Sequence, residues 1–407
     1  MAIISLAKLL LMLCGLACLL WAWKRPAREN VLAGMWTPVA VLLALGALTL
    51  SLGWTIVPLD DAAGSVAKYG KLLFLPMLVL LIRDRREALF ALGAFALAQA
   101  FLVLSSWLLF AGVPLPWATS NMARDQYAVF STYLDQGIIT AVFAAVCWHL
   151  RDLAPGRNGE ALAVLLALLA LGNVLFALQG RTGHAVAITL VSLALMWRLP
   201  MKYRAVIVVI PFLIGAVLYA SSSTVQTRMT QVVNEVRQYS DQTQQSSSGI
   251  RLNLWRRASQ SIAENPVAGS GAGSWGTQYR RLETQHNPAY VETVRNGNPH
   301  QEYLLWGVQL GVPGILIFVF LMLAVVVDSL KMQTPHARAI QSVVAAMAVA
   351  CLFNCSLYDA LIGDFFCVLL GLLLALGRRS ALSASSSSTP ATPSAPPAPP
   401  ALSALPA

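Results

Sequence analysis

The chain has 407 residues and only five histidines. One of them stands in a run whose chemistry can be read directly, Asn298-Pro299-His300-Gln301-Glu302-Tyr303-Leu304, just before a long apolar stretch. Asn298 is a good N-cap, Pro299 suits a first helical position, and Gln301 three residues on completes a capping-box pattern. The run therefore predicts a helix opening at Asn298 with His300 in its first turn. A helix N-terminus disfavours imidazolium, so the ring stays neutral near pH 7 and can accept a proton. The same end attracts anions such as a pyrophosphate. A histidine with no chemical role would fit the position equally well.

Cations that could meet such an anion are few. Arg181 lies in Gln179-Gly180-Arg181-Thr182-Gly183-His184, a short connection between two strongly apolar stretches, where a charge is costly and usually functional. The competing reading is an interfacial arginine whose head reaches for water. His184 reads more readily as a packing histidine than as a ligand, and counts at most among orienting residues. Lys68 and Lys71 are three residues apart; they bind a lipid phosphate or simply neutralise Asp60 and Asp61. That acidic pair resembles the metal site of a sugar transferase, but without further acidic or His partners a solvated loop is the better reading. Asp359 and Asp364 flank a turn at Asn354-Cys355-Ser356-Leu357-Tyr358-Asp359. A carboxylate there can orient a histidine or hold an arginine, or serve only the turn.

The elements that must position these residues are apolar helices. The composition is 57% hydrophobic and 11% charged, with net charge +10. A soluble domain carries about 25% charged residues, which excludes an ordinary cytosolic enzyme. Eleven apolar stretches run over 2–23, 31–53, 66–82, 87–111, 137–150, 161–178, 183–197, 205–221, 302–327, 339–358 and 361–377, several exceeding the roughly 18 residues that cross a bilayer core. The first reads as a retained helix, since no basic n-region or cleavage site marks it as a signal peptide. The six cysteines (14, 18, 147, 351, 355 and 367) all lie in or beside apolar stretches and read as small packing residues rather than a metal site.

Charge sets the orientation. Fifteen Lys and Arg residues fall in one alternating set of connections (24, 25, 28; 83, 85, 86; 151, 157; 198, 202, 204; 331, 338; 378, 379), against Arg124 and Arg181 in the short loops of the other set. The first set is therefore expected on the cytoplasmic side. The boundaries that follow are membrane helices over 1–221, a helical periplasmic segment over 222–299, membrane helices over 300–379 and a disordered cytoplasmic tail over 380–407, which is Ser, Ala, Pro, Thr and Leu from 381 onward. With eleven spans the N-terminus would also lie outside.

The periplasmic segment holds eight arginines, no lysine and five acids. Arginine grips phosphate with a planar fork where lysine acts as a point charge. Met229, Val232, Val233 and Val236 predict one amphipathic helix; Leu252, Trp255, Ser259 and Ile262 predict a weaker second one. The run Gly269-Ser270-Gly271-Ala272-Gly273 lacks the Lys-Ser/Thr of a phosphate loop and reads as a turn, structured by Pro266 and Trp275 rather than floppy.

Together, the Gly-Arg-Thr-Gly turn at Arg181, the segment Gly249-Ile250-Arg251…Trp255…Ile262…Asn265-Pro266-Val267-Ala268-Gly269-Ser270-Gly271 and the Asn-Pro-His-x-Glu-Tyr-Leu element resemble the bacterial O-antigen ligase and polymerase superfamily over roughly residues 175–365. The resemblance implies an all-α polytopic inner-membrane glycosyltransferase of GT-C type with 11–12 transmembrane helices and a helical periplasmic domain; family members usually have twelve spans and both termini inside. It implies transfer of O-antigen from undecaprenyl pyrophosphate to a sugar hydroxyl of the lipid A core, inverting and independent of metal or cofactor, with no nucleic-acid partner. By motif, His300 would be the general base, and Arg181 and Arg251 would hold the pyrophosphate, with Lys68 and Lys71 as further candidates. Asp359, Gln301, Tyr303 and His184 would orient them. The family pattern usually has Asn where Gln301 stands. Sister activities are O-antigen polymerase and protein O-oligosaccharyltransferase. A transporter should show internal repeats and broken helices at mid-membrane; no repeat relates the halves, and the polar residues of interest gather at one face.

Overall fold

The computed structural model describes residues 31–221, 247–286 and 297–387, with isolated positions between 13 and 24 and between 223 and 233. The first apolar stretch, Cys14 and Cys18, most of the helix expected at Met229–Val236, and residues 388–407 lie outside the described residues.

The helices, in order, are α1 Thr37–Leu50, α2 Leu59–Tyr69, α3 Phe74–Leu81, α4 Arg85–Phe110, α5 Asn121–Gln126, α6 Tyr133–Leu150, α7 Gly156–Gly172, α8 Arg181–Met196, α9 Ile210–Ser221, α10 Ser247–Glu264, α11 Trp275–His286, α12 Glu302–Ser329, α13 Thr334–Phe353 and α14 Ala360–Ser387. Among the described residues, seven helical segments are long and apolar enough to cross a membrane, and Thr37–Gly53, Arg181–Met196 and Ile210–Ser221 are shorter apolar helices. These ten match the ten expected stretches from 31 onward. Each is helical because a bilayer core offers no water to the backbone, so every N–H and C=O must be satisfied within the segment. The chain is a multi-pass membrane protein. Its outward faces carry large exposed apolar side chains such as Phe90, Leu97, Leu168, Phe212 and Leu316, as a lipid-facing surface requires. The main core joins α1, α3, α6, α8, α12, α13 and α14.

The basic connections gather at one end of the bundle and bind carbonyls there. Arg378 donates to the carbonyls of Val31 (3.0 Å) and Ala33 (2.9 Å), Arg379 to that of Ile82 (2.9 Å), and Lys331 to that of Gly34 (2.7 Å). Asp328 accepts from the backbone N–H groups of Trp36 (2.9 Å) and Thr37 (2.8 Å) and from the Thr37 hydroxyl (2.7 Å), holding the start of α1.

At the opposite end α12 is broken. Gly311 has φ 69 and ψ −161, and Pro313 follows inside the helix. Proline has no N–H, so the Gln309 carbonyl loses its helical donor. The loop after α10 supplies the missing partners: the N–H of Ser270 donates to the Val308 carbonyl (2.8 Å), that of Gly271 to the Gln309 carbonyl (2.9 Å), and that of Val312 to the Pro266 carbonyl (2.7 Å). The Gly-Ser-Gly-Ala-Gly run is therefore a structural wedge. A Cβ on Gly269 would stand 2.5 Å from the Gln309 backbone, and one on Gly271 2.4 Å from Thr55.

Other expectations need correction. Asp60 and Asp61 occupy the first turn of α2 rather than a loop, where acids suit the helix dipole. Helix α14 continues to Ser387, into the stretch expected to be disordered from 380. In α10 the buried positions include Asn253, Leu254, Arg257, Ala258 and Ser261, while Ser259 is exposed. The expected stripe is thus rotated, because the helix buries a polar face against α11. There Arg257 pairs with Glu283 at 2.8 Å, both nearly fully buried, and Asn253 donates to the same carboxylate at 3.2 Å. Arg281 and Glu264 form a second bridge between the two helices. Helix α11, which had no expectation, buries Trp275, Gln278, Tyr279, Leu282 and Glu283 at helical spacing.

Gly311 sits in a backbone region that is essentially glycine-only, and a Cβ there would lie 2.4 Å from the Pro266 carbonyl oxygen. Gly311→Ala should destabilise the protein by at least about 1–3 kcal/mol, read as a lowered melting temperature in detergent. An unchanged melting temperature would show that the wedge carries no stability.

Candidate active site

The start of α12 differs from the expected capping. Gln301, not Asn298, is the N-cap, and its side chain accepts from the Leu304 N–H at 3.1 Å. Asn298 instead accepts from the N–H of His300 (2.9 Å), an Asx turn that leaves His300 at φ 51, the left-handed region. His300 thus lies just ahead of the helix rather than in its first turn. The turn aims a solvent-accessible side chain off the helix mouth while Pro299 is buried beneath it. Enough protein surrounds the ring that desolvation, and then the Arg251 guanidinium, hold its pKa below the usual histidine value. His300 is a neutral base beside a permanent cation supplied by α10.

Glu302, the first residue of α12, is the residue that sequence reasoning missed. It is fully buried, and four donors converge on its carboxylate. One oxygen accepts from the Tyr69 hydroxyl (2.9 Å) and the Trp306 indole N–H (3.2 Å); the other accepts from the N–H groups of Leu357 (3.0 Å) and Tyr358 (3.1 Å). One side chain therefore ties α2, α12 and the 354–359 turn together. The available signal was a carboxylate at the mouth of a membrane helix, in the middle of the histidine motif.

The 354–359 turn collects the other candidates. Lys68 lies over the Tyr358 ring, 4.0 Å from its centroid, with its side chain exposed. Lys71 is buried; its ammonium donates to the Asp359 carbonyl at 2.6 Å and stands 3.7 Å from Asp364. Neither contact involves Asp60 or Asp61, and the burial of Lys71 makes it a cation behind the site rather than an open phosphate ligand. The Asp359 carboxyl is pushed up from its ordinary pKa by burial and by Asp135, against the pull of Lys71 and Lys68. Asp135, at the start of α6, also escaped sequence reasoning; it accepts from the Thr132 hydroxyl at 2.9 Å.

Arg181 opens α8 and reaches this end through its neighbours. Asn354 donates to the Thr182 hydroxyl at 3.5 Å, and Gln179 donates to the Asp125 carbonyl at 3.2 Å. A Cβ on Gly183 would stand 3.0 Å from Gly137, so α6 and α8 meet backbone to backbone beside Arg181. The residues before Arg181 pass through a π turn, Asn173–Ala177, a feature that recurs at functional sites. His184 is buried, with Nδ1 2.8 Å from the Gly180 carbonyl, and so steadies the turn that presents Arg181. Tyr303 faces away from His300: its hydroxyl donates to the Ala348 carbonyl at 3.1 Å and its ring packs edge-on against Phe318. Among the described residues, no three His, Cys, Asp or Glu side chains form a group that could hold a metal.

One end of the bundle thus sets His300 within electrostatic reach of Arg251, and gathers Lys68, Asp359 and Arg181 around the 354–359 turn. The arrangement can take a proton and hold an anion at one water-facing surface.

Glu302→Gln tests the hub. One orientation of the amide sets its NH2 group against the N–H groups of Leu357 and Tyr358, the other against the Trp306 indole N–H, and an unsatisfied buried group costs about 1–3 kcal/mol. The variant should melt at lower temperature and lose activity at the 300–359 surface. Full stability and activity would show that the carboxylate is not needed there.

Residues 165–319 match a family model described as O-antigen ligase. This stretch includes Arg181, His184, Arg251, His300, Gln301 and Tyr303 and leaves out Lys68, Lys71 and Asp359. No curated protein matches the chain. Over that stretch the chain is similar to O-antigen ligases.

Proposed function

We propose that this protein belongs to the O-antigen ligase family and transfers an O-antigen polysaccharide from undecaprenyl pyrophosphate to a sugar hydroxyl of the lipid A core, at the periplasmic face of a bacterial inner membrane. The observation that carries the reading is an exposed His300, set by an Asx turn at the mouth of α12 and within electrostatic reach of the Arg251 guanidinium, at the end of the bundle remote from the basic connections. Loops rich in Lys and Arg stay in the cytoplasm, so the opposite end faces the periplasm, where a lipid-linked sugar and its acceptor would meet.

In this mechanism the His300 imidazole removes the proton from the acceptor hydroxyl. The oxygen attacks the anomeric carbon, the bond from that carbon to the pyrophosphate oxygen breaks, and the configuration inverts. Negative charge grows on the leaving lipid pyrophosphate, and Arg251 and Arg181, with Lys68 held on the Tyr358 ring, are the positive charges that would meet it. Preorganised charge of this kind usually lowers a barrier more than any other single effect; general-base help adds about 10²–10⁴. Burial and the Asp135–Asp359 proximity raise the Asp359 pKa, which suits a group that holds a proton or a neighbouring side chain rather than a metal ion.

The sister activities use the same chemistry with a different acceptor, and the missing discriminator is the acceptor itself. A transporter is disfavoured by a specific feature: the carbonyls freed at the break in α12 are bonded by Ser270 and Gly271, so they do not stand open to coordinate an ion.

The test is transfer in vitro with purified protein, lipid-linked polymer and lipid A-core, with and without a chelator, and with a peptide acceptor or no added acceptor as the other arms. Transfer to lipid A-core alone, unaffected by chelator, is the expected result. Polymer extension without an acceptor, or glycosylated peptide, would reassign the acceptor. His300→Ala should lower the rate by about 10²–10⁴ at unchanged protein level; normal transfer would remove the general base. Arg251→Lys should lower it by about 10², since a point charge does not restore the fork. The acid limb of kcat/KM should lie below the ordinary histidine value of about 6.5, because the neutral base persists to lower pH. In Arg251→Ala the limb should move upward; a limb that stays put would exclude His300 as the titrating group.

A further inference from the structure

At the basic end, α6, α7 and α8 enclose a cavity of about 300 Å³ that the transfer reaction does not use. Alanines on all three helices, Ala141 and Ala145, Ala167, and Ala187 and Ala194, line it between leucines and leave space that larger residues would fill. Leu168 and Leu195 on its flanks are exposed, so the groove opens sideways toward the acyl region of the bilayer.

The head of the groove is polar and cationic. Trp148, His149 and Arg198 line it. The Arg198 guanidinium stands 5.2 Å from the Trp148 ring and that of Arg151 4.8 Å; Arg338 lies 5.7 Å from the Trp197 ring and donates to the Trp197 carbonyl at 3.4 Å. Of these three arginines, Arg151 is shared with Asp152 (3.6 Å) and Glu160 (3.9 Å), so the positive charge is concentrated on Arg198 and Arg338. His149 is only 7% exposed, its ring edge-on to Trp197, and its Nε2 is buried with no hydrogen-bond partner among the described residues. A buried polar atom left without a partner costs free energy, and an oxygen entering the groove would remove that cost.

We propose that this groove binds one anionic phospholipid of the leaflet at the basic end, with an acyl chain along the alanine walls, the phosphate against Arg198 and an ester or phosphate oxygen on His149 Nε2. An apolar slot capped by arginines is complementary to such a lipid, and basic pockets between membrane helices on the cytoplasmic side bind these headgroups. The site lies at the opposite end from His300, so it is not the seat of the sugar donor. The bound lipid would brace α6 against α8, the pair whose far ends meet at Gly137 and Gly183 beside Arg181.

The experiment is native mass spectrometry of the full-length protein in detergent, titrated separately with phosphatidylglycerol, phosphatidylethanolamine and undecaprenyl phosphate. One phosphatidylglycerol should bind tightest. Arg198→Gln should weaken it about fivefold, the loss of one basic contact with an anionic lipid, and Ala194→Leu should weaken it by filling the slot, each variant being checked by thermal melting. His300→Ala should leave it unchanged, which separates this site from the transfer chemistry. Equal retention of phosphatidylethanolamine, preference for undecaprenyl phosphate, or undiminished phosphatidylglycerol binding in both folded groove variants would overturn the proposal.

Discussion

The Glu302 carboxylate holds the candidate site together. It begins the helix that follows His300, it receives the hydroxyl of Tyr69, the residue between Lys68 and Gly70-Lys71, and it accepts from the backbone of the turn that ends at Asp359. A buried carboxylate is tolerated only where donors replace its water, and here four do. The hydrogen bonds that keep the group in the protein therefore also fix the relative position of three segments far apart in sequence. The site's geometry follows from satisfying one costly group.

The broken helix obeys the same rule. Pro313 and Gly311 interrupt α12 and free backbone groups inside an apolar helix, where such groups must find partners within the protein. The loop of residues 266–273 is satisfied at the same time: beyond the bonds to Val308, Gln309 and Val312, its Ala272 N–H donates to Ser51 and its Ala268 carbonyl accepts from Trp54. Because this loop joins α10 to α11, the break docks the Arg251 helix onto α12. Arg251 comes to bear on His300 through a defect in the helix and its repair. The buried Arg257–Glu283 pair then holds α10 against α11.

The two ends of the bundle use charge differently. At the basic end, arginines and lysines bind carbonyls of connecting loops and stand ready for lipid phosphate. At the other end the candidate cations are positioned one by one: Arg251 by helix packing, Lys68 by an aromatic ring, Lys71 by burial against Asp364, Arg181 by a turn that His184 steadies. A site that stabilises developing charge needs its cations fixed beforehand, and anchoring of this kind does that.

The sequence by itself determined the ten apolar helices from residue 31 onward, the segregation of charge and the motif around His300. All of these depend on composition and short-range spacing, which the bilayer translates almost directly into structure. It also marked Arg181 and Arg251, through a turn and a motif. It misjudged the opening of α12, because Asn298 and Gln301 are both competent caps and only the packed turn at 354–359 selects the second. It misplaced the buried face of α10, because that face is polar and its partner Glu283 is 26 residues away. Tertiary structure alone decided that Lys71 is buried, that Tyr303 faces away from the histidine, that a glycine-rich run repairs a broken helix and that Glu302 binds three segments. Each depends on which groups from distant parts of the chain satisfy one another out of water, and no local pattern records those partners.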